Sequence, residues 1–289
     1  DTAAETAVPR LVPSDDLDRA NGRLIAGQIV GNELAGPAVG GWLFGVAAAL
    51  PFAINAGALG VAILLLLTLP SVFQPLPVPH KDKARSVWHE LRDGFRWLRR
   101  DTTIRTLVLA CGVVSMADAA WFAVLVLYVV RVLRQPTATY GLLLAAGAIG
   151  GVVAGVASAR VVRLLGPQVA VIGTVVVLAA TQLGLGLTTN VIVAAVLLTG
   201  SSAAFAVFNV VAVTLRQRLV PAELLGRVSS VYRTVGRAAE GIGALAGGVI
   251  ATVAGIRAPM LLGAIPLVAL GALLVWHQRR YGSNKILPS

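Results

Sequence analysis

Long apolar runs, broken by short polar interruptions, set the pattern of this chain. Crossing a bilayer as a helix takes about 20 mostly apolar residues. Eight stretches meet that length: 23–50, 51–69, 103–130, 139–164, 168–188, 191–215, 228–254 and 258–277. They are too long, and too rich in Gly and Ala, for the roughly ten-residue alternating strands of a membrane barrel. The pattern predicts an all-α polytopic membrane bundle. The longest polar interruption, 71–102, begins with Pro75, Pro77 and Pro79. Over 85–100 it places Trp88, Leu91, Phe95 and Leu98 at helical spacing among arginines, as in an amphipathic helix lying at the membrane interface.

Composition agrees: 57% of the 289 residues are apolar and 13% charged, against about 45–50% and 25% in soluble domains. A single cysteine, Cys111, excludes a disulfide scaffold, and the hydrophobicity excludes disorder. The net charge of +11 could point to nucleic acid, but its distribution points elsewhere. With the spans as drawn, 21 of the 24 basic residues fall on one side, and only Arg131, Arg134 and Arg257 on the other. The Lys/Arg-rich side is cytoplasmic, which places the C-terminus inside. The charge then follows from topology, and no nucleic-acid partner is expected.

An internal repeat organises the spans. Leu11-Val12-Pro13, Leu17 and Arg19 recur 208 residues later as Leu219-Val220-Pro221, Leu225 and Arg227. The same offset pairs Gly40 with Gly248, Pro51 with Pro259 and Asn32 with Glu240, and gives 12 identities over 56 aligned positions. Two parallel halves are an established way to build a transporter. Residues 1–70 then form the C-terminal part of a first half, 71–102 a cytoplasmic linker, 103–277 a six-helix second half and 278–289 a cytoplasmic tail. Four spans of the second half lack upstream partners. The offset therefore predicts a first half beginning about 105 residues before Asp1, in a parent of about 395 residues and twelve spans.

Two local patterns resemble the major facilitator superfamily. Gly36-Pro37, Gly40 and Gly41 resemble the glycine–proline signature of the fifth helix of antiporters, with Asn32 where the fuller signature has a glycine. Leu91–Asp101 resembles the linker of bacterial exporters similar to enterobactin and macrolide efflux proteins. The resemblance implies a bacterial plasma-membrane exporter of small hydrophobic or siderophore-like molecules, monomeric at full length. Pro37 deletes a helical hydrogen bond and kinks the chain. Gly36, Gly40, Gly41 and Gly45 permit close helix approach, so this element would seal and rock between the halves.

Acidic groups inside spans are costly and usually functional. Three occur: Glu33, Asp118 and Glu240. Counted at 1.5 Å per residue they lie roughly 15–22 Å from the cytoplasmic ends of their spans, near the bilayer midplane where transporter sites sit. A carboxyl group in a low-dielectric cavity holds its proton to higher pH than in water, which suits protons as the coupling ion. Glu240 can instead pair with Arg237 or Arg233 at helical spacing. Asp118, Trp121, Phe122 and Leu125 recur at i, i+3, i+4 and i+7, so a carboxylate and an aromatic wall share one helix face. Asn32 and Asn209 are further cavity candidates, with Gln28, Asn55 and Gln182 weaker ones. The span 258–277 is almost free of polar side chains and reads as a lipid-facing support.

Other matches lead nowhere chemical. Gly241-Ile242-Gly243-Ala244-Leu245-Ala246 fits a dinucleotide fingerprint, but without a preceding strand it reads as helix packing. His80, His89 and His277 are scattered, so no metal site is expected, and no phosphate-binding loop occurs. Asp15, Asp16 and Asp18 resemble half of the aspartate-rich magnesium site of membrane prenyltransferases, which leaves a membrane enzyme as the alternative to a transporter. The same residues after Ser14 also suit a helix N-terminus capped by the serine. A transport-inactive scaffold is a third reading. No cofactor is expected.

Overall fold

Among the described residues every regular element is helical. The computed structural model describes residues 11–36, 49–67 and 102–281, with isolated positions at 8, 9, 39, 43, 46 and 47. A 3-10 turn at Ser14–Asp16 leads into α1, Leu17–Ile29, which continues as a π-helical turn, Val30–Ala35. Then come α2 (Leu50–Leu67), α3 (Thr102–Phe122), the short α4 (Leu125–Leu127), α5 (Ala138–Leu165), α6 (Pro167–Leu187), α7 (Val191–Leu219), α8 (Ala222–Ala254) and α9 (Ala258–Tyr281). The elements α3 and α5 to α9 are each long and apolar enough to cross a membrane. The first two predicted spans are described in part, and α2 exposes all its described side chains from Phe52 to Leu65. The predicted interfacial helix over 85–100 lies outside the described residues.

Both copies of the Leu-Val-Pro repeat fold as a turn feeding a helix, and both bury the repeat leucine: Leu17 is 2% exposed and Leu225 4%. The expected Ser14 cap is corrected. Ser14 Oγ donates to Asp15 at 3.4 Å rather than accepting from the helix, because a 3-10 turn intervenes before α1. A second correction concerns 216–227, read as a loop. The α7 helix runs on to Leu219 and α8 starts at Ala222, so only Val220 and Pro221 separate them. Arg216, Gln217, Arg218, Glu223 and Arg227 lower the hydropathy there, although each lies within a helix.

The span predicted over 103–130 is broken. Val124 leaves helical geometry (φ −107°, ψ 2°), and the chain resumes as α4 and a π-helical turn, Tyr128–Val132. Tyr128, fully buried, anchors this turn by donating to the carbonyls of Leu185 at 2.7 Å and Thr188 at 3.2 Å at the end of α6. Such π turns inside helices recur at functional sites.

Helices approach through small residues, since lipid supplies little hydrophobic drive between them. A Cβ on Gly243 or Gly247 of α8 would overlap the Met116 or Ala120 carbonyl of α3, and one on Gly150 would overlap Thr199 of α7. Within 241–246, Gly243 thus serves helix packing. Two buried clusters result: a larger one from Ile104 to Leu270 joining α3, α5, α6, α7, α8 and α9, and a smaller one around Trp121, Leu125, Tyr128 and Met260. The α1 helix packs against α5 and α7.

Candidate functional site

A cavity of about 1300 Å³ lies between α1, α3, α5, α7 and α8. Seven residues singled out from the sequence line it together: Asn32, Glu33, Asp118, Trp121, Phe122, Asn209 and Glu240. Gln28 joins them. Positions that the repeat offset makes equivalent, Asn32 and Glu240, thus face one space.

Each group is held by its own element. Asn32 and Glu33 sit on the π turn that ends α1. Gly36 closes that turn by donating its backbone N–H to the Gly31 carbonyl, and a Cβ there would stand 2.5 Å from that oxygen. Asp118 accepts a hydrogen bond from Trp121 Nε1 at 3.1 Å, one helical turn on. The Trp121 ring, 5% exposed, meets Phe122 edge to face, with centroids 5.8 Å apart at 72°. Leu125 departs from the expected common face: the break at Val124 carries it into the core, fully buried. Glu240 forms the ion pair allowed by its spacing, with Arg237 at 2.9 Å. Their side chains are 39% and 82% exposed, so water screens the pair heavily. Asn209 donates to the Phe205 carbonyl at 3.0 Å.

Other candidates fall elsewhere. Asn55 is exposed on α2 and does not line the cavity. Gln182, 1% exposed, packs beside Gly263 between α6 and α9. Pro37, Gly40, Gly41 and Gly45 lie outside the described residues. The α9 helix contributes nothing to the cavity wall among the described residues.

The floor of the cavity was missed in the sequence. Arg216 of α7 is 1% exposed, and its guanidinium stacks 3.6 Å from the centre of the Tyr232 ring of α8. Cys111 and Ser115 of α3 line the same end. The charge count assigns Arg216, Arg233 and Arg237 to the cytoplasmic side, Arg216 between predicted spans and the other two within 228–254; in the structure all three lie inside helices and line the cavity. The α7 helix carries Arg216 three residues from its end at Leu219, where a charged side chain reads in the sequence as the start of a loop.

At the level of the floor, α1 is fastened to α7. Asn21, 3% exposed, donates to Thr214 Oγ1 at 3.0 Å and to Gln217 Oε1 at 2.6 Å. Arg218 pairs with Asp18 at 2.9 Å and donates to the Ser14 carbonyl at 3.0 Å. Gly22 lies against α5, where a Cβ would overlap the Gly155 carbonyl and stand 2.6 Å from Ser158 Oγ. Asp18 therefore has a structural partner, which removes it from the aspartate-rich enzyme site considered above. Among the described residues no three His, Cys, Asp or Glu side chains converge as a metal site.

The comparisons with known proteins follow the same line. No curated protein matches the sequence. Twenty-five chains of solved structures match. One is a bacterial homologue of the iron transporter ferroportin, in its outward-facing state, with 21% identity and a TM-score of 0.75. The match covers 94% of this chain and 66% of that one, so the chain spans slightly under two thirds of its length. At that identity the likeness concerns the fold. The description "Major Facilitator Superfamily" matches residues 1–244. This all-helical bundle, with its cavity between α1 and the helices that follow, belongs to the Major Facilitator Superfamily.

Proposed function

We propose that the protein is a secondary active exporter that moves small hydrophobic or siderophore-like molecules across a bacterial plasma membrane in exchange for protons, by alternating access. Residues 1–70 belong to one half and 103–277 to the other, with the C-terminus cytoplasmic. The observation that carries the reading is a cavity with three carboxylates, Glu33, Asp118 and Glu240, lined by α1, α3, α5, α7 and α8; in this reading both halves wall it and one end is closed. The closed end is where α1 meets α7 through Asp18–Arg218 and Asn21–Thr214. Positive-inside orientation makes that end cytoplasmic, so the cavity faces outward. Breaking these contacts, and making others at the far end, turns it inward.

The enzyme alternative loses its acidic cluster to the Asp18–Arg218 pair, and the superfamily is one of transporters. The test is proton movement. The protein is reconstituted in liposomes loaded with a pH-sensitive dye, and a macrolide, a catecholate siderophore and an aryl sulfonate are added in turn. At least one should move protons at a rate above that of protein-free liposomes. No response to any of the three would overturn proton-coupled export of this class.

A further inference from the structure

The charged groups of the cavity stand at different heights along its helices, with Arg237 paired to Glu240. At the floor, the Arg216 guanidinium is buried and held by Tyr232, and Ser115 lines the same cavity. The carboxylates stand higher. On α3, Asp118 is seven residues beyond Cys111, roughly 10 Å at the helical rise, and Phe122 is roughly 16 Å beyond it. On α1, Glu33 is twelve residues past Asn21, whose partners Thr214 and Gln217 flank Arg216, which puts it roughly 18 Å above the floor. Above the floor, α7 adds Val213, Asn209 and Phe205 to the wall.

A guanidinium presents planar, forked donors that match a carboxylate, sulfonate or phosphate in two parallel hydrogen bonds. Stacking on Tyr232 fixes the plane of that fork, and low-dielectric surroundings strengthen whatever it binds. The face of Trp121 and Phe122 higher up suits an apolar body. Building on the transport reading, we propose that the cavity floor is a subsite for an anionic group. A transported molecule would place a carboxylate, sulfonate or phosphate against Arg216 and Ser115, with its apolar part directed toward Phe122. Arg216 shares a helical turn with Thr214, Gln217 and Arg218, so an anion bound there touches the turn that fastens α7 to α1.

The chain's single cysteine reports on this subsite, since Cys111 lines the same floor. The protein in lipid nanodiscs is alkylated with N-ethylmaleimide in the presence of naphthalene-2-sulfonate or its neutral analogue naphthalene-2-sulfonamide. The sulfonate should slow alkylation saturably, at concentrations about tenfold lower than the sulfonamide. Arg216→Gln should erase the difference between the two probes. Arg216→Lys, which keeps the charge and loses the fork, should leave part of it, and unchanged melting of both variants excludes misfolding. Equal protection by the two probes in the unaltered protein, or an undiminished preference in Arg216→Gln, would overturn the proposal. The two readings fail separately. Lost probe preference with intact proton movement removes this subsite and leaves the exporter. Intact preference without proton movement removes the exporter and leaves an anion site.

Discussion

Neutralising Asp18 should open the cytoplasmic end of the cavity. Asp18 and Arg218 meet at 2.9 Å with side chains 11% and 21% exposed, so the pair is largely shielded from water. A charge-assisted hydrogen bond in such a place contributes about 1.5–3 kcal/mol. In the proposed alternating-access cycle, contacts between α1 and α7 exist only while that end is closed, so their loss should shift the closed–open equilibrium by the same energy, a factor of roughly 10 to 150. Asn21 still holds Thr214 and Gln217, which favours the lower part of that range. The readout is alkylation of Cys111 in inside-out membrane vesicles by a membrane-impermeant maleimide, which reaches the cavity floor only through the cytoplasmic end. Asp18→Asn should raise the alkylation rate about tenfold. Arg218→Gln should do the same, and the double variant should add little, because each single change already removes the shared interaction. Rates unchanged in both single variants would refute the assignment of this contact as the closure.

Three further outcomes follow. Gly22→Leu cannot be seated against the Gly155 carbonyl and Ser158, so it should raise cytoplasmic labelling of Cys111 as Asp18→Asn does. Gly247→Val forces a side chain into the Ala120 carbonyl and separates α3 from α8. The overpacking should cost about 1–3 kcal/mol, read as a lower melting temperature in detergent. Asn190 caps α7 by accepting from the amides of Ile192 at 2.9 Å and Val193 at 3.2 Å. Asn190→Ala should cost about 1 kcal/mol of stability while leaving proton movement at the unaltered level.

Most of the fold was legible because apolar length is a strong signal in lipid: α3 and α5 to α9 correspond to predicted spans. The repeat was equally informative, since Leu17 and Leu225 are buried at equivalent places and Asn32 and Glu240 face one cavity. Glu33, Asp118 and Glu240 stood out because charge inside an apolar run is costly and therefore conspicuous. Arg216 did not stand out, because it sits among other polar residues near a helix end, where hydropathy marks a loop. What distinguishes it is tertiary: the Tyr232 ring 16 residues further on and the cavity above. The break at Val124 was hidden for the opposite reason. Its sequence is apolar throughout, and a helix and a helix–turn–helix of the same residues have the same hydropathy. The bonds of Asn21 and Asp18 to α7 span about two hundred residues of sequence and leave no local trace.

Proton coupling through the cavity carboxylates is the central claim, and its most direct measurement is probe-driven proton movement in liposomes carrying Asp118→Asn, Glu33→Gln or Glu240→Gln. Asp118, held by Trp121 beside the aromatic wall, should be indispensable, and its variant should fall to the protein-free rate. Glu33→Gln should reduce the rate severely. Glu240→Gln should reduce it less, because Glu240 is paired with Arg237 and well exposed. Proton movement that survives all three substitutions at the unaltered rate would contradict the account.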